Sequence, residues 1–187
     1  MEGSANEDSH LPTQPQNPRG IYIESKRLGE SIVENIIGKN VNRHASYRVA
    51  LAFPPKLLKN DNRVMADLIN NGQKEGVITL SGGSDFIRQY QYGPNCVKKI
   101  LASMSQGHST IYNNAGSHIV TLGELAKLIG SILNLEVDIK DILPSDFTAP
   151  KSVLVNSKRL NNESNYILEE ELTLMSYITS MINKKNV

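Results

Sequence analysis

Residues 21–30 read Ile-Tyr-Ile-Glu-Ser-Lys-Arg-Leu-Gly-Glu, and the apolar residues Leu28, Ile32, Val33, Ile36 and Ile37 follow at helical spacing. That periodicity predicts a helix over about 21–38. Tyr22 and Lys26 are four residues apart, so on a helix they share one face and a phenol meets an ammonium. A nearby cation favours the phenolate and lowers the phenol's pKa from its reference of about 10, giving a general acid/base for neutral pH. A bare Tyr-x-x-x-Lys also arises by chance as a surface pair without function. The rest of the chain has to decide between the two.

Upstream, residues 1–20 are polar and carry Pro12, Pro15 and Pro18, which predicts an extended loop. Downstream, Tyr47 to Phe53 is a nearly continuous apolar run closed by Pro54-Pro55. Such a run suits a strand buried on both faces, as in a parallel sheet. Asn60 or Asp61 can cap a short helix through Val64, Met65, Leu68 and Ile69 that Asn71-Gly72 stops. Val77 to Leu80 predicts a strand, Ser81-Gly82-Gly83-Ser84 a turn, and the alternation from Arg88 to Tyr92 an exposed or edge strand. Pro94 suits the first turn of a helix carrying Val97, Ile100, Leu101 and Met104. Thr110 to Asn113 is a further strand. Thr121-x-x-Glu124 is a capping box opening a helix with Leu122, Leu125, Leu128, Ile129 and Ile132. Val137 to Leu143 and Ser152 to Val155 are strand candidates, and an amphipathic helix covers about Leu168 to Asn183. Helices and strands alternate without an internal repeat, so the fold class is mixed α/β.

Composition narrows the partners. Of 187 residues, 20 are Lys or Arg and 19 Asp or Glu, a balance that leaves no field to attract nucleic acid or an anionic membrane. Local cations for a small anionic ligand remain open. One cysteine, Cys96, excludes an internal disulfide framework and fits a reducing compartment. It reads as a small buried hydrophobe before a reactive thiol. No apolar run approaches the length of a membrane span, and the polar, acidic N-terminus has no signal-peptide core, so the cytoplasm is the expected location. His10, His44, His108 and His118 lack ligand spacing, so no metal site is expected. The Lys98-Lys99 and Lys184-Lys185 pairs read as solvated helix positions.

Taken together and in order, these segments resemble the extended short-chain dehydrogenase/reductase family of nucleotide-sugar epimerases and dehydratases. Ile21 to Glu30 is similar to its Tyr-x-x-x-Lys helix, and the Pro-rich leader to the loop before it. Arg48 to Pro55 resembles the family's Arg-x-x-Asn-x-Tyr-Gly-Pro strand, and Gly83 to Ile100 its arginine segment with the helix that follows. Tyr112-Asn113 through Ile129 resembles its Tyr-Asn strand and the Thr-Leu-x-Glu-Leu-Ala helix start. Asn156 to Leu160, followed by a helix, is similar to its C-terminal end.

The resemblance implies a partial Rossmann-like parallel sheet with a smaller mixed α/β substrate-binding domain. Residues 1–58 would be the remnant of the dinucleotide-binding domain. Residues 59–187 would be the substrate-binding portion, with about 77–120 returning to the Rossmann-like sheet. NAD would be the cofactor and a nucleotide-diphosphate sugar the substrate. Tyr22 and Lys26 would exchange a proton with a sugar hydroxyl and meet the nicotinamide ribose. Arg88 would fork onto the diphosphate, whereas its bland reading is a solvated cation. Tyr90 and Tyr92, on alternate positions with Arg88, would face either the nucleotide or the core. Homodimers through the Tyr-x-x-x-Lys helix are usual in the family.

The departures are specific. No glycine-rich βαβ loop holds a pyrophosphate here, since Gly82-Gly83 follows a late strand and opens no helix. The family's upstream catalytic Ser or Thr is expected before Met1. Ser9, 13 residues ahead of Tyr22, matches the spacing of the short branch of the superfamily but reads as a capping or loop serine. Leu51, Pro54 and Asn95 stand where the family carries Asn, Gly and Asp. The sequence thus supports the C-terminal half of an enzyme, a non-catalytic nucleotide-sugar binder, or a structural partner whose Tyr47–Phe53 edge pairs with another chain.

Overall fold

The computed structural model describes residues 4–9, 16–39, 44–58, 60–106, 110–140, 142–143, 150–165 and 172–184. Helix α1 spans Gly20–Ile32 and runs on through a π-helical turn, Val33–Ile37. Its entry is set by Asn17, whose Oδ1 accepts the Arg19 N–H at 2.8 Å. The helical span is as the periodicity predicts, but its apolar stripe is not buried: Ile21, Leu28 and Ile36 are 88%, 61% and 60% exposed.

The run after α1 is not one strand. It breaks at Ala50 into β1 (Ser46–Val49) and β2 (Leu51–Phe53). β1 pairs in parallel with β5 (Ile111–Asn114), and β2 in parallel with β4 (Ile87–Tyr92). The parallel pairing agrees with expectation, whereas burial on both faces does not, since Val49 and Leu51 are exposed. Among the described residues β1 has no partner on its second edge.

β4 is also not an edge strand. β6 (His118–Thr121) runs antiparallel along one side, and β8 (Ser152–Val153) and then β2 lie parallel along the other. Its glutamines look like solvent-facing residues but are buried, and their amide nitrogens donate to carbonyls inside the fold. Gln89 Nε2 donates to Gly116 O and Gln91 Nε2 to Asn114 O, both at 2.7 Å.

Helix α2 (Val64–Glu75) continues through Gly72 and ends at Gly76, whose φ of 76° needs no Cβ. Gly72 stays inside the helix because Ile78 fills the space a Cβ would take. Neither Asn60 nor Asp61 is the N-cap; that position is Arg63, without a side-chain cap. β3 (Val77–Leu80) pairs in parallel with β7 (Glu136–Ile139). Helix α3 (Gly93–Gln106) has Pro94 in its first turn. Helix α4 (Leu122–Leu133) opens on the expected capping box, Thr121 with Glu124. Short α5 (Lys158–Ser164) precedes α6 (Leu174–Asn183), which Thr173 caps; 166–171 lie outside the described residues.

The core lies where α2, α4 and α6 cover β3 and the β4 sheet. Ile69, Ile78, Leu125, Ile129 and Ile178 are fully buried there. Cys96 is buried, as its reading predicts, and burial pushes its thiol pKa up. Lys99 corrects its reading as a solvated cation: it is buried, with Nζ 3.4 Å from Ala115 O.

Candidate functional site

Two clefts meet along the β1–β2 run. The first, of about 670 Å³, has Tyr22, Lys26 and Glu30 of α1 on one side and β1 with Ala50 on the other. Ala5, Asn6, Ser9, Val153 and Val155 complete its walls. The helix turns Tyr22 and Lys26 onto the same cleft, with Lys26 Nζ 5.5 Å from the Tyr22 ring centroid. Tyr22 is 58% exposed and so reachable by a ligand. Ser25 Oγ donates to Tyr22 O at 2.8 Å and fixes that first turn. Gly29 leaves open space over the floor.

Ser9 borders the same cleft, yet its hydroxyl is engaged in a turn. Its Oγ donates to Asn6 Oδ1 and accepts the Asn6 N–H, each at 2.9 Å. That agrees with its reading as a loop serine.

The N-terminal wall is anchored by groups to which the sequence assigned no role. Ala5 bridges in parallel to Val155. The buried Glu7 carboxylate accepts the Asn113 N–H at 2.9 Å and lies 3.8 Å from Arg159 Nε. Arg159 Nη2 donates to Asp8 at 2.7 Å.

The second cleft, about 240 Å³, opens at the N-terminus of α2 and is lined by Arg88, Tyr90, Leu51, Phe53, Val64 and Met65 among others. The N-cap residue Arg63 accepts no hydrogen bond through its side chain from the first turn of α2, a helix end whose N–H groups favour an anion. Asp61 and Arg63 hold that end in place. Arg63 Nε donates to Asp61 Oδ1 at 2.8 Å, and its Nη1 donates to Ala52 O.

Arg88 is tied down at one nitrogen, Nη1 reaching Ile87 O at 2.8 Å and Lys151 O at 3.2 Å. Among the described residues its Nε and Nη2 meet no acceptor, which leaves the outer fork for a ligand. Burial lowers its pKa from the usual value, and Arg19 acts in the same direction. An arginine so shifted stays charged at neutral pH. Burial pushes the Tyr90 phenol up to about 12, so it is a neutral donor in this cleft. Tyr92 packs instead, stacked on Tyr177 at 4.4 Å and near Phe53 at 5.7 Å.

The structure thus brings Tyr22 and Lys26 together and sets Arg88 in the adjoining cleft. The junction is Ala50, and Val153, which borders the first cleft, is the register partner of Arg88. The α2 N-terminus and the anchoring pairs were missed in the sequence because each depends on partners distant along the chain. Asp61-x-Arg63 before an apolar helix was the one local signal.

Among the described residues, Tyr22 and Lys26 are those that could meet a dinucleotide, both opening on the first cleft. Gly82-Gly83 leads from β3 into β4 and opens no helix. No pyrophosphate cradle is found among the described residues. They also contain no group of three or more potential metal ligands and no helix long and apolar enough to cross a membrane. His44 Nε2 lies 3.2 Å from Glu34, His118 packs on Tyr177, and His10 and His108 fall outside the described residues.

Comparison with known proteins agrees with the fold. The UDP-glucuronic acid decarboxylase 1 of Danio rerio is 26% identical over 128 residues, 68% of this chain and 31% of that protein. A UDP-glucuronic acid decarboxylase 4 of Arabidopsis thaliana is 23% identical over 165 residues, 86% of this chain and 37% of that protein. The chain therefore spans about a third of the curated relatives it matches. The dTDP-glucose 4,6-dehydratase of Bacillus anthracis, solved with NAD, superposes with a TM-score of 0.76 at 16% identity. It covers 97% of this chain and 55% of its own. A UDP-glucuronic acid 4-epimerase from Bacillus cereus gives 0.75 at 15% identity, over 98% and 56%. At such identities the structures establish the fold alone. Residues 2–115 match the NAD dependent epimerase/dehydratase family, more than half of the sequence, and the chain belongs to that family.

Proposed function

We propose that this chain binds a nucleotide-diphosphate sugar and carries the proton-transfer pair of an NAD-dependent nucleotide-sugar epimerase or dehydratase. The observation behind this is the adjacency of an anion-binding end and an acid/base pair along one strand run. In this reading the diphosphate lies at the uncapped N-terminus of α2, where the helix dipole and the open fork of Arg88 both favour negative charge. The sugar extends past Leu51 and Ala50 towards Tyr22, whose hydroxyl moves a proton to or from a sugar oxygen. Lys26 Nζ, 5.5 Å from the Tyr22 ring centroid, sets a positive charge beside that side chain. NAD, when bound, supplies the hydride acceptor.

Residues 1–58 then belong to the dinucleotide-binding side, joined by β5, and residues 59–187 otherwise to the substrate side. A glycine-rich βαβ half, in the same polypeptide or another, would pair with the open edge of β1 and cover part of the apolar face of α1. A second copy of the chain would cover the remainder as a homodimer.

Calorimetric titration of the purified chain with UDP-glucose, dTDP-glucose and, separately, NAD tests this. Nucleotide-sugar binding without NAD binding supports the substrate half and excludes independent catalysis by this chain. Binding of both, with turnover lost in Tyr22→Phe, makes the chain an enzyme by itself. Binding of neither refutes the placement of the substrate.

A further inference from the structure

We infer that Arg48 is the positioning residue that holds the Tyr22/Lys26 helix over its cleft; the consequence for sugar binding rests on the nucleotide-sugar reading above. Burial does not fix α1, since Ile21, Leu28 and Ile36 face solvent. A guanidinium does. Arg48 Nε donates to Glu30 Oε2 at 3.0 Å, Nη2 donates to Glu30 Oε1, and Nη1 donates to Glu7 O at 2.9 Å.

Those contacts join three walls of the cleft at one group: α1 through Glu30, β1 through Arg48 itself, and the N-terminal segment through Glu7. Two of these walls are held independently of the fork. β1 is paired with β5, and the Glu7 side chain, 4% exposed, is fixed by the Asn113 N–H. At α1 the fork is the side-chain tie nearest to Tyr22 and Lys26. Glu30 is four residues beyond Lys26 and eight beyond Tyr22, on the same face. Any roll or slide of the helix about Glu30 therefore displaces both site residues together. The side-chain ties of Glu34, to His44 at 3.2 Å and to Thr110, lie a turn further from them. A lysine at 48 places one point charge where three directed N–H bonds now stand, so it keeps the charge and loses the orientation.

The test uses the full chain with Arg48→Lys, Arg48→Met, Glu30→Gln and the Arg48→Met/Glu30→Gln double variant. Hydrogen exchange is followed in peptides from 20–37 and from α4, and affinities for UDP and UDP-glucose are titrated. We expect exchange in 20–37 to rise about tenfold in each single variant with α4 unchanged, local opening being free to increase without global unfolding. The double variant should be no worse than the worse single one. UDP should bind all variants like wild type, while the extra affinity that glucose adds to UDP is lost, even in Arg48→Lys. Wild-type protection and a retained glucose increment in Arg48→Lys would overturn the proposal. So would faster exchange spread equally over α4, which marks a general stability role. A wild-type chain that binds UDP-glucose no better than UDP would overturn the link from the fork to the sugar. Failure of wild type to bind UDP at all would refute the nucleotide-sugar reading instead, and the exchange data would still decide whether Arg48 holds α1.

Discussion

Replacing Arg88 by methionine removes the guanidinium while keeping a stem of similar length beside the Phe86 ring, over which the Arg88 Cζ now sits at 5.5 Å. The fold should tolerate this. The two carbonyls that Nη1 contacts belong to Ile87 and Lys151, and Lys151 O keeps the Ile87 N–H at 2.8 Å, so β8 stays on β4. What is lost is the outer fork, Nε and Nη2. A hydrogen bond to a charged group contributes about 1.5–3 kcal/mol, so losing one contact to a phosphate weakens binding by about 10- to 150-fold. Arg88→Lys keeps the charge without the fork and should fall between wild type and methionine. Because the cleft is partly buried, the effect should persist at 0.3 M salt, unlike that of a surface cation. The assay is calorimetric titration with UDP, beside a thermal melt to confirm the fold. If Arg88→Met binds UDP within threefold of wild type, the diphosphate does not lie in this cleft.

Gly116→Ala should be costly, because a Cβ at 116 would overlap Tyr90 O and lie 2.7 Å from Gln91 Cα, main-chain atoms of a strand held on both edges. We expect a loss of about 3 kcal/mol in urea denaturation, and a change under about 1 kcal/mol would show that the two strands can part. Asp61 titrates with the second cleft. The hydrogen bonds from Arg63 lower its pKa, so its stabilisation is fully present above the unfolded value of about 3.9 and is lost as pH falls through the depressed folded value. Arg63 is half exposed, which limits the pair to about 1 kcal/mol. Asp61→Asn should remove that share of the acid sensitivity between pH 5 and 2, and unchanged pH dependence in urea midpoints would refute the assignment.

The elements with local signals were legible. α1 and α4 announce themselves by period and, for α4, by its capping box, and the mixed α/β order follows from their alternation with short apolar runs. The break at Ala50 has no such mark. No Gly or Pro stands there, and what divides the run is its pairing with β5 on one side and β4 on the other, which no local pattern encodes. β4 was misread for a related reason. Gln89 and Gln91 look like the solvent side of an edge strand, but their amide nitrogens donate to carbonyls from the 114–116 region in the interior. β6 was missed because its four residues end at the Thr121 cap and merge into the helix start. At the site, the adjacency of Tyr22 and Lys26 on one helix face followed from i,i+4 spacing, whereas a role for the pair rested on the flanking segments. The Arg48–Glu30 fork and the α2 N-terminus were not, since each needs a contact set by the tertiary fold.

The switch of pairing at Ala50 explains why one short run can serve two chemistries. β1 carries the side of the cleft that faces Tyr22 and Lys26, and β2 carries the apolar lining beside Arg88. A straight strand in one sheet would alternate its side chains between two faces of the same layer. Changing partner strands at a single residue instead places successive segments against different neighbours. On the proposed reading, that brings a diphosphate end and a proton-transfer end into line along seven residues. Leu51 stands at this junction, half exposed where the related motif carries Asn. On the proposed reading, it would offer apolar contact rather than a hydrogen bond at the point where diphosphate gives way to sugar. Orientation of the sugar then depends on the two ends of the path, Arg88 with the α2 N–H groups at one and the Arg48-held helix at the other, so the fork at Arg48 matters more here than it would beside an asparagine.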